Sequence, residues 1–554
     1  MHDAPSQPQT PRRPALLNEL GQRQTPPSGP EAFQAIGRGP QILFIGLGPD
    51  AAVPVSLVGR LAKERPAPLS VAYVDCPDFA RQMDARRTQT LPEQWRDLDR
   101  LAAETFIKGQ ARGTSVTFLL YLPGLRLFPS FFGPLFGAVW AAQAQWGQTP
   151  PASSHMPRKK SSIRSVTLAG SEQDLLQREL RLAFADAGLK VKTWDPAAAS
   201  PEESAARPGA PVPPEEALTD LFFSVNFKGL DPFGAVYHYL RARDITVAAW
   251  CVDNPWHLLS GLRAPYWRDL PLFVTDASFL PGLKEHGAQK AVHLPLAACP
   301  ELFAVRPNSV NTFLAAHLRG LAPLAFIGRT AFPGRDKFFA AQHLSQPLLD
   351  GALRGLASGE RPDFLRWTKT LGISRLWPGQ EARQAGLAAE ECARRRRTLC
   401  VRAAIPGLEN PNAPGITIFG DAAWADELAD IPPANLDLRG AVDYYTELPA
   451  LYGQATLVLN VTSLLLPAGL NQRHFDVWAA GSAQIFDDSP GLSIFPPELM
   501  RPFRFKKPDD IPGLAADLLS SPGQLRSLKH DWRTLITAEH TYAQRVRAVL
   551  AALE

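Results

Sequence analysis

Several things are scarce in this 554-residue sequence, and each shortage argues against a class of function. Cysteine occurs five times (Cys76, Cys251, Cys299, Cys392, Cys400), with no CxxC pair and no His-rich ligand spacing. That pattern argues against a disulfide framework or a zinc centre and suits a reducing compartment. Charge of one sign is nearly balanced: 58 Lys and Arg stand against 54 Asp and Glu, a net charge of +4. No global basic field exists, so nucleic acid is not an expected partner. The opening residues, MHDAPSQPQTPRRP, carry no apolar stretch after their charges, so no secretory signal is read there and a cytoplasmic location is expected. Long apolar runs are few. The most membrane-like one, Leu127 to Trp146, is interrupted by Pro129 and Pro134 and bordered by Arg126. It reads as a buried helix, and no transmembrane segment is expected.

What the sequence does have is length, proline and alternation. Single hydrophobic cores stop growing near roughly 250 to 300 residues, so a chain of this size implies several folding units. The 53 prolines are about twice the usual share of roughly 5%, and they mark joints. Residues 1–38 read as a disordered Pro-rich tail. Residues 39–150 begin with the buried-strand run QILFIGL, then a helical segment, then LSVAYVD ending at Asp75, and read as an accessory Rossmann-like domain. The Pro-, Ser- and Lys-rich text over 148–165 reads as a linker. Strands and helices alternate again over 165–318 and over 319–535, with a terminal amphipathic helix over 536–554 packing back. Strands alternating with helices imply an α/β chain of parallel sheets covered on both faces.

Ligands of open parallel sheets bind beyond the carboxyl ends of the strands, so residues there are the candidates for chemistry. In FIGRTAFPGRDKFF, Gly328 ends a strand and Arg329, Arg335 and Lys337 follow. Glycine admits a close backbone approach to a diphosphate and the cations neutralise its charge; a glycine turn with solvated charges is the plain alternative. In LNQRHFDVWAAG, Asn471, Arg473 and Asp476 open a helix. A helix start favours an anion, Arg473 suits phosphate and Asp476 suits ribose hydroxyls, unless Arg473 and Asp476 simply form an i to i+3 ion pair. In AWCVDNPWHLL, Asp253 and His257 are the catalytic candidates, Asp253 as a base or hydroxyl acceptor; turn and cap chemistry is the alternative. Gly420 and Asp421 in IFGDAAW, with Tyr444 and Tyr445, could hold a nucleotide base or be packing. Two features are discounted. GLGPD at Gly46 lacks the third glycine of a dinucleotide fingerprint, and the run Arg394 to Arg397 reads as a solvated helix face.

From about residue 165 onward, FFSVNF, WCVDNP, LFVTDASFLPGLKEHGAQKAVHLPLAACPELF, FIGR, VDYYTELPALYGQATLVLNV and LNQRHFDVWAAGSAQIFDD occur in an order that resembles the spore-maturation (CgeB-type) glycosyltransferases. This bacterial family is related to the group-1 transferases of the GT-B fold. The resemblance implies two Rossmann-like domains facing a cleft, a carboxy-terminal domain that grips a nucleotide-diphosphate sugar, and an amino-terminal domain that shapes a protein or glycan acceptor site. Where group-1 transferases commonly carry a Glu, this chain has Asp476. A metal-independent reaction is expected, with Arg335, Lys337 and Arg473 stabilising the departing diphosphate and no cofactor beyond the sugar nucleotide. A non-catalytic sugar-nucleotide-binding or scaffold protein on the same fold is the alternative.

Overall fold

Three sets of apolar runs, too short for helices and bounded by Gly, Pro and Asp, each build a sheet. The computed structural model describes residues 15–65, 68–83, 85–110, 113–146, 163–198, 211–303, 318–406 and 413–554. β1 (Leu16–Leu17) and β2 (Arg23–Gln24) form a short antiparallel ribbon. β3 (Phe33–Gly37), β4 (Gln41–Ile45), β5 (Ser70–Val74), β6 (Arg96–Asp97) and β7 (Val116–Tyr121) form a sheet of order β3-β7-β4-β5-β6. Only β3 runs antiparallel to its neighbour there, pairing residue for residue with β7.

The second sheet holds β8 (Ser165–Ala169), β9 (Lys190–Trp194), β10 (Leu221–Val225), β11 (Thr246–Cys251), β12 (Leu272–Val274) and β13 (Ala291–His293), in the order β13-β12-β11-β10-β8-β9. The third holds β14 (Leu324–Ile327), β15 (Ile416–Phe419), β16 (Asp437–Arg439), β17 (Leu457–Asn460), β18 (Ala483–Asp487) and β19 (Arg504–Phe505), in the order β16-β15-β14-β17-β18-β19. All its pairings are parallel. This is the doubly wound order of the Rossmann fold, whose direction of winding reverses between β14 and β17. The α/β expectation therefore holds: two largely parallel, Rossmann-like sheets follow a first sheet that is parallel except at β3.

Two compact units divide the chain, Met1–Ser171, Lys192–Ala248 and Leu262–Leu270 in one, Glu172–Val191, Ala249–Gly261 and Pro271–Glu554 in the other. In the first, the membrane-like stretch becomes the helix Pro129–Gln145, buried along most of its length. It packs on the helix Ala235–Ala242. Small residues allow the approach: a Cβ added at Gly133 would lie 2.6 Å from the His238 ring and one at Gly137 2.5 Å from the His238 backbone. Among the described residues no helix is long and apolar enough to cross a membrane.

Two expectations are corrected. Residues 15–38 of the supposed disordered tail carry three strands, because Leu16, Ala32 and Ile36 are buried and proline is tolerated at the margins of a sheet; residues 1–14 lie outside the described residues. The expected solvated face Arg394 to Arg397 belongs to the long helix Glu381–Ala403, yet only Arg395 of the four is exposed. Arg396 is buried and pairs with Asp487 at 2.7 Å. The linker over 148–165 falls almost wholly outside the described residues.

Candidate functional site

β14 ends at Ile327, on the side where the third sheet reverses its winding, and Gly328 follows at once. The Gly328 nitrogen donates to the Phe419 carbonyl at 2.9 Å and its own carbonyl accepts from Trp424 Nε1 at 2.8 Å. A Cβ at Gly328 would sit 3.4 Å from Arg473 Nη2, and one at Gly420 would sit 2.5 Å from the Gly328 oxygen. Gly328, Gly420 and Arg473 are thus brought together.

Arg473 opens the helix Arg473–Ala479 and stands over the Phe326 ring at 5.7 Å. Among the described residues its guanidinium has no ion pair, and Nη1 is buried without a hydrogen-bond partner. Burial pulls its pKa below the usual arginine value, with Tyr452 opposing. An unpaired interior charge is costly, and an arriving anion relieves that cost.

The surface ion pair with Asp476 does not form. Asp476 is 1% exposed; its Oδ2 accepts from Tyr444 Oη at 2.8 Å and its Oδ1 from Gln472 Nε2 at 2.9 Å. Burial pushes its pKa well above the usual carboxylate range, the two hydrogen bonds oppose, and Glu179 adds to the rise. Asp476, expected at the ribose hydroxyls, thus has each oxygen accepting one hydrogen bond from within the protein. Tyr444, expected near a nucleotide base, has its hydroxyl turned to Asp476. Tyr445 donates to Glu179 at 2.9 Å.

The loop after β14 is held from two sides. Asp421 accepts from Thr330 N at 3.3 Å and Thr330 Oγ1 at 3.1 Å. Arg397 Nη1 donates to the carbonyls of Arg329 at 2.9 Å and Thr330 at 2.5 Å. Arg397 also feels the charge of Arg473. Sequence reasoning missed Arg397, although four successive arginines on a helix must point to different faces. Arg329 and Lys337 are exposed. Arg335, expected on the diphosphate, is instead bound by Asp336 at 2.6 Å and by Glu391, so its charge is already neutralised. Asn471 donates to Asn460 Oδ1 at 2.7 Å and sits 3.0 Å from His474 Nδ1, a buried amide cluster behind the helix start.

Of the catalytic candidates, Asp253 is exposed just past β11. Its neighbour Asn254 performs the capping, accepting from Trp256 N at 2.9 Å. His257 is not placed for proton transfer. Its ring packs against Phe338, Phe339 and Phe364 at 5.2, 5.8 and 5.7 Å, with Nε2 buried and unpartnered. Burial lowers its pKa to about 3, which keeps it neutral.

A family model described as "Glycosyl transferase-like" matches residues 394–551. This carboxy-terminal stretch is glycosyltransferase-like. It contains Arg397, Gly420, Asp421, Tyr444, Arg473 and Asp476. No curated protein matches the sequence. Among solved structures, Anabaena Alr3699/HepE in complex with UDP is similar at 10% identity and a TM-score of 0.41, covering 71% of this chain and 99% of that one. T4 phage BGT in complex with UDP and Mn2+ is similar at 10% identity and a TM-score of 0.37, covering 71% and 100%. A glycosyltransferase from Rickettsia africae ESF-5 is similar at 8% identity and a TM-score of 0.37, covering 70% and 97%.

Proposed function

We propose that the protein is a glycosyltransferase of the CgeB-type group that moves a sugar from a nucleotide-diphosphate sugar to a protein or glycan acceptor, in the cytoplasm and without a metal. The observation that carries this reading is the unpaired guanidinium of Arg473 beside Gly328 at the switch point of a Rossmann-like sheet. A diphosphate brings the charge that Arg473 lacks, and it departs more readily when that charge is already met. Arg397 holds the loop that the phosphates approach, and Arg329 and Lys337 flank it at the surface. The match of residues 394–551 to a glycosyl transferase-like family supports the reaction class.

Purified protein should release UDP or another nucleoside diphosphate from a panel of sugar nucleotides in the presence of EDTA. Strict dependence on added divalent cation would refute the metal-independent reading. A second reading is a sugar-nucleotide-binding protein without turnover, favoured by the burial of His257 and Asp476. Donor binding with no diphosphate release across the panel would establish it.

A further inference from the structure

A second feature of the same unit lies at the tips of β12 and β13. There a hollow of about 70 Å³ is lined by Thr275, His293, Ala468, Leu470, Gly491 and Ser493, among others. Thr275 directly follows β12 and His293 ends β13, so the hollow lies outside the carboxyl ends of parallel strands, where sheets of this type take ligands. Its walls mix hydroxyl and imidazole groups with apolar ones, a lining suited to one alcohol group on a carbon skeleton.

The hollow is rigidly built. Asp276, 1% exposed, accepts from Ser278 N at 2.8 Å and from Ala468 N at 2.9 Å, tying the β12 tip to the segment ahead of Arg473. Arg545 Nε donates to the Pro295 carbonyl at 2.8 Å and fixes the chain just after His293. Gln472 Nε2 donates to the Ala297 carbonyl at 2.7 Å. The wall residue Leu470 precedes Arg473 by three positions, so their Cα atoms lie within about 11 Å. The hollow and the unpaired guanidinium therefore flank one short segment.

His293 is half-buried. Burial lowers its pKa below the usual histidine value, the Thr275 backbone and Asp276 pull it up, and Arg545 pushes it down. The ring is thus neutral near pH 7 and able to take a proton.

We propose that this hollow receives the acceptor hydroxyl and that His293 is the catalytic base of the transfer. The inference rests on the glycosyltransferase reading. In the step, the acceptor O–H proton passes to an imidazole nitrogen of His293 and the freed oxygen bonds to the anomeric carbon. The bond from that carbon to the diphosphate oxygen breaks, its electron pair leaving on the diphosphate beside Arg473. A direct displacement of this kind inverts the anomeric configuration. Water entering the same hollow undergoes the same step, which gives slow donor hydrolysis.

The test uses the full chain and the sugar nucleotide that the wild type hydrolyses fastest. His293→Ala and His293→Gln should each lower nucleoside-diphosphate release about a hundredfold or more, the usual scale of general-base catalysis. Affinity for UDP or the matching diphosphate should stay near wild type. Added imidazole should restore release in His293→Ala, which a merely structural defect would not permit. Release close to wild type in both variants, or a lost rate that imidazole leaves untouched, overturns His293 as the base. Arg473→Ala separates the two ideas. If it keeps full diphosphate affinity, the donor-site reading fails. If it loses affinity while the His293 variants turn over normally, only the present inference fails.

Discussion

Replacing Arg473 by Met tests whether the guanidinium serves the fold or a ligand. Methionine keeps an unbranched chain beside Phe326 and removes the charge. Among the described residues Arg473 has no carboxylate partner and a buried, unpartnered Nη1, so its loss should not destabilise. Relief of desolvation worth about 1 kcal/mol raises Tm by roughly 2 to 4 °C in a domain of this size. Binding should move the other way. A charge-assisted hydrogen bond is worth about 1.5 to 3 kcal/mol, so the Kd for UDP should rise about ten- to a hundredfold, at about 1.4 kcal/mol per decade. Thermal unfolding followed by fluorescence and calorimetric titration with UDP read the two quantities on one preparation. A variant that loses stability yet binds UDP within about threefold of wild type, a difference under 1 kcal/mol, would refute the assignment.

Two further substitutions probe buried carboxylates of opposite character. Asp487 accepts from Arg396 at 2.7 Å and from Thr462 N at 2.8 Å, and pairs with Arg361; Asp487→Asn should cost about 3 to 5 kcal/mol in urea unfolding at pH 7, since it strands two arginines. Burial pushes the Asp487 pKa up, but Arg396 and Arg361 hold it far below the usual range, so its contribution is complete above the unfolded carboxyl pKa of about 3.9 and is lost as pH falls through the folded value. The wild-type advantage over Asp487→Asn should therefore persist at pH 5 and shrink only below about pH 4, and an advantage already gone at pH 5 would contradict the pairing. Asp476 has a raised folded pKa, so wild-type stability should decline as pH rises above about 4. Asp476→Asn should flatten that decline, and identical pH slopes in the two urea series would count against a buried, protonatable Asp476.

The sheets were legible because buried parallel strands are continuous apolar runs: LFFSV and LVLN became β10 and β17 with every residue buried. Gly328 and Arg473 were legible for a related reason, since each abuts the end of a regular element whose position the pattern fixes. Element starts were harder. The helix Gln177–Asp186 starts only after Leu176 takes a left-handed turn, φ 64°, which a leucine does not signal in a sequence. Charge partnerships were not legible at all. Arg394, Arg396 and Arg397 find Glu427, Asp487 and Thr330 at separations of 33, 91 and 67 residues, and spacing along a helix carries no information about such partners. The same limit hid the burial of Asp476 under Tyr444, 32 residues earlier, and of His257 under three phenylalanines. Residues 15–38 look disordered by proline content alone, yet a few apolar anchors such as Ile36 seat β3 against β7.

The pattern of arginine pairing is itself an argument about function. Arg335, Arg361, Arg394 and Arg396 each lie against at least one carboxylate. Arg473 has Asp476 three residues onward, a spacing at which ion pairs form readily on a helix. A guanidinium kept for stability would take that neighbour. Instead Tyr444 and Gln472 occupy both oxygens of Asp476, while the glycine at position 328 keeps the space beside Arg473 Nη2 clear of a side chain. Withholding the nearest carboxylate from a desolvated cation is costly to the free protein. Functional sites are where folds bear such costs, and the anionic ligand proposed above for the β14 tip would recover this one by supplying the charge that the sequence keeps away.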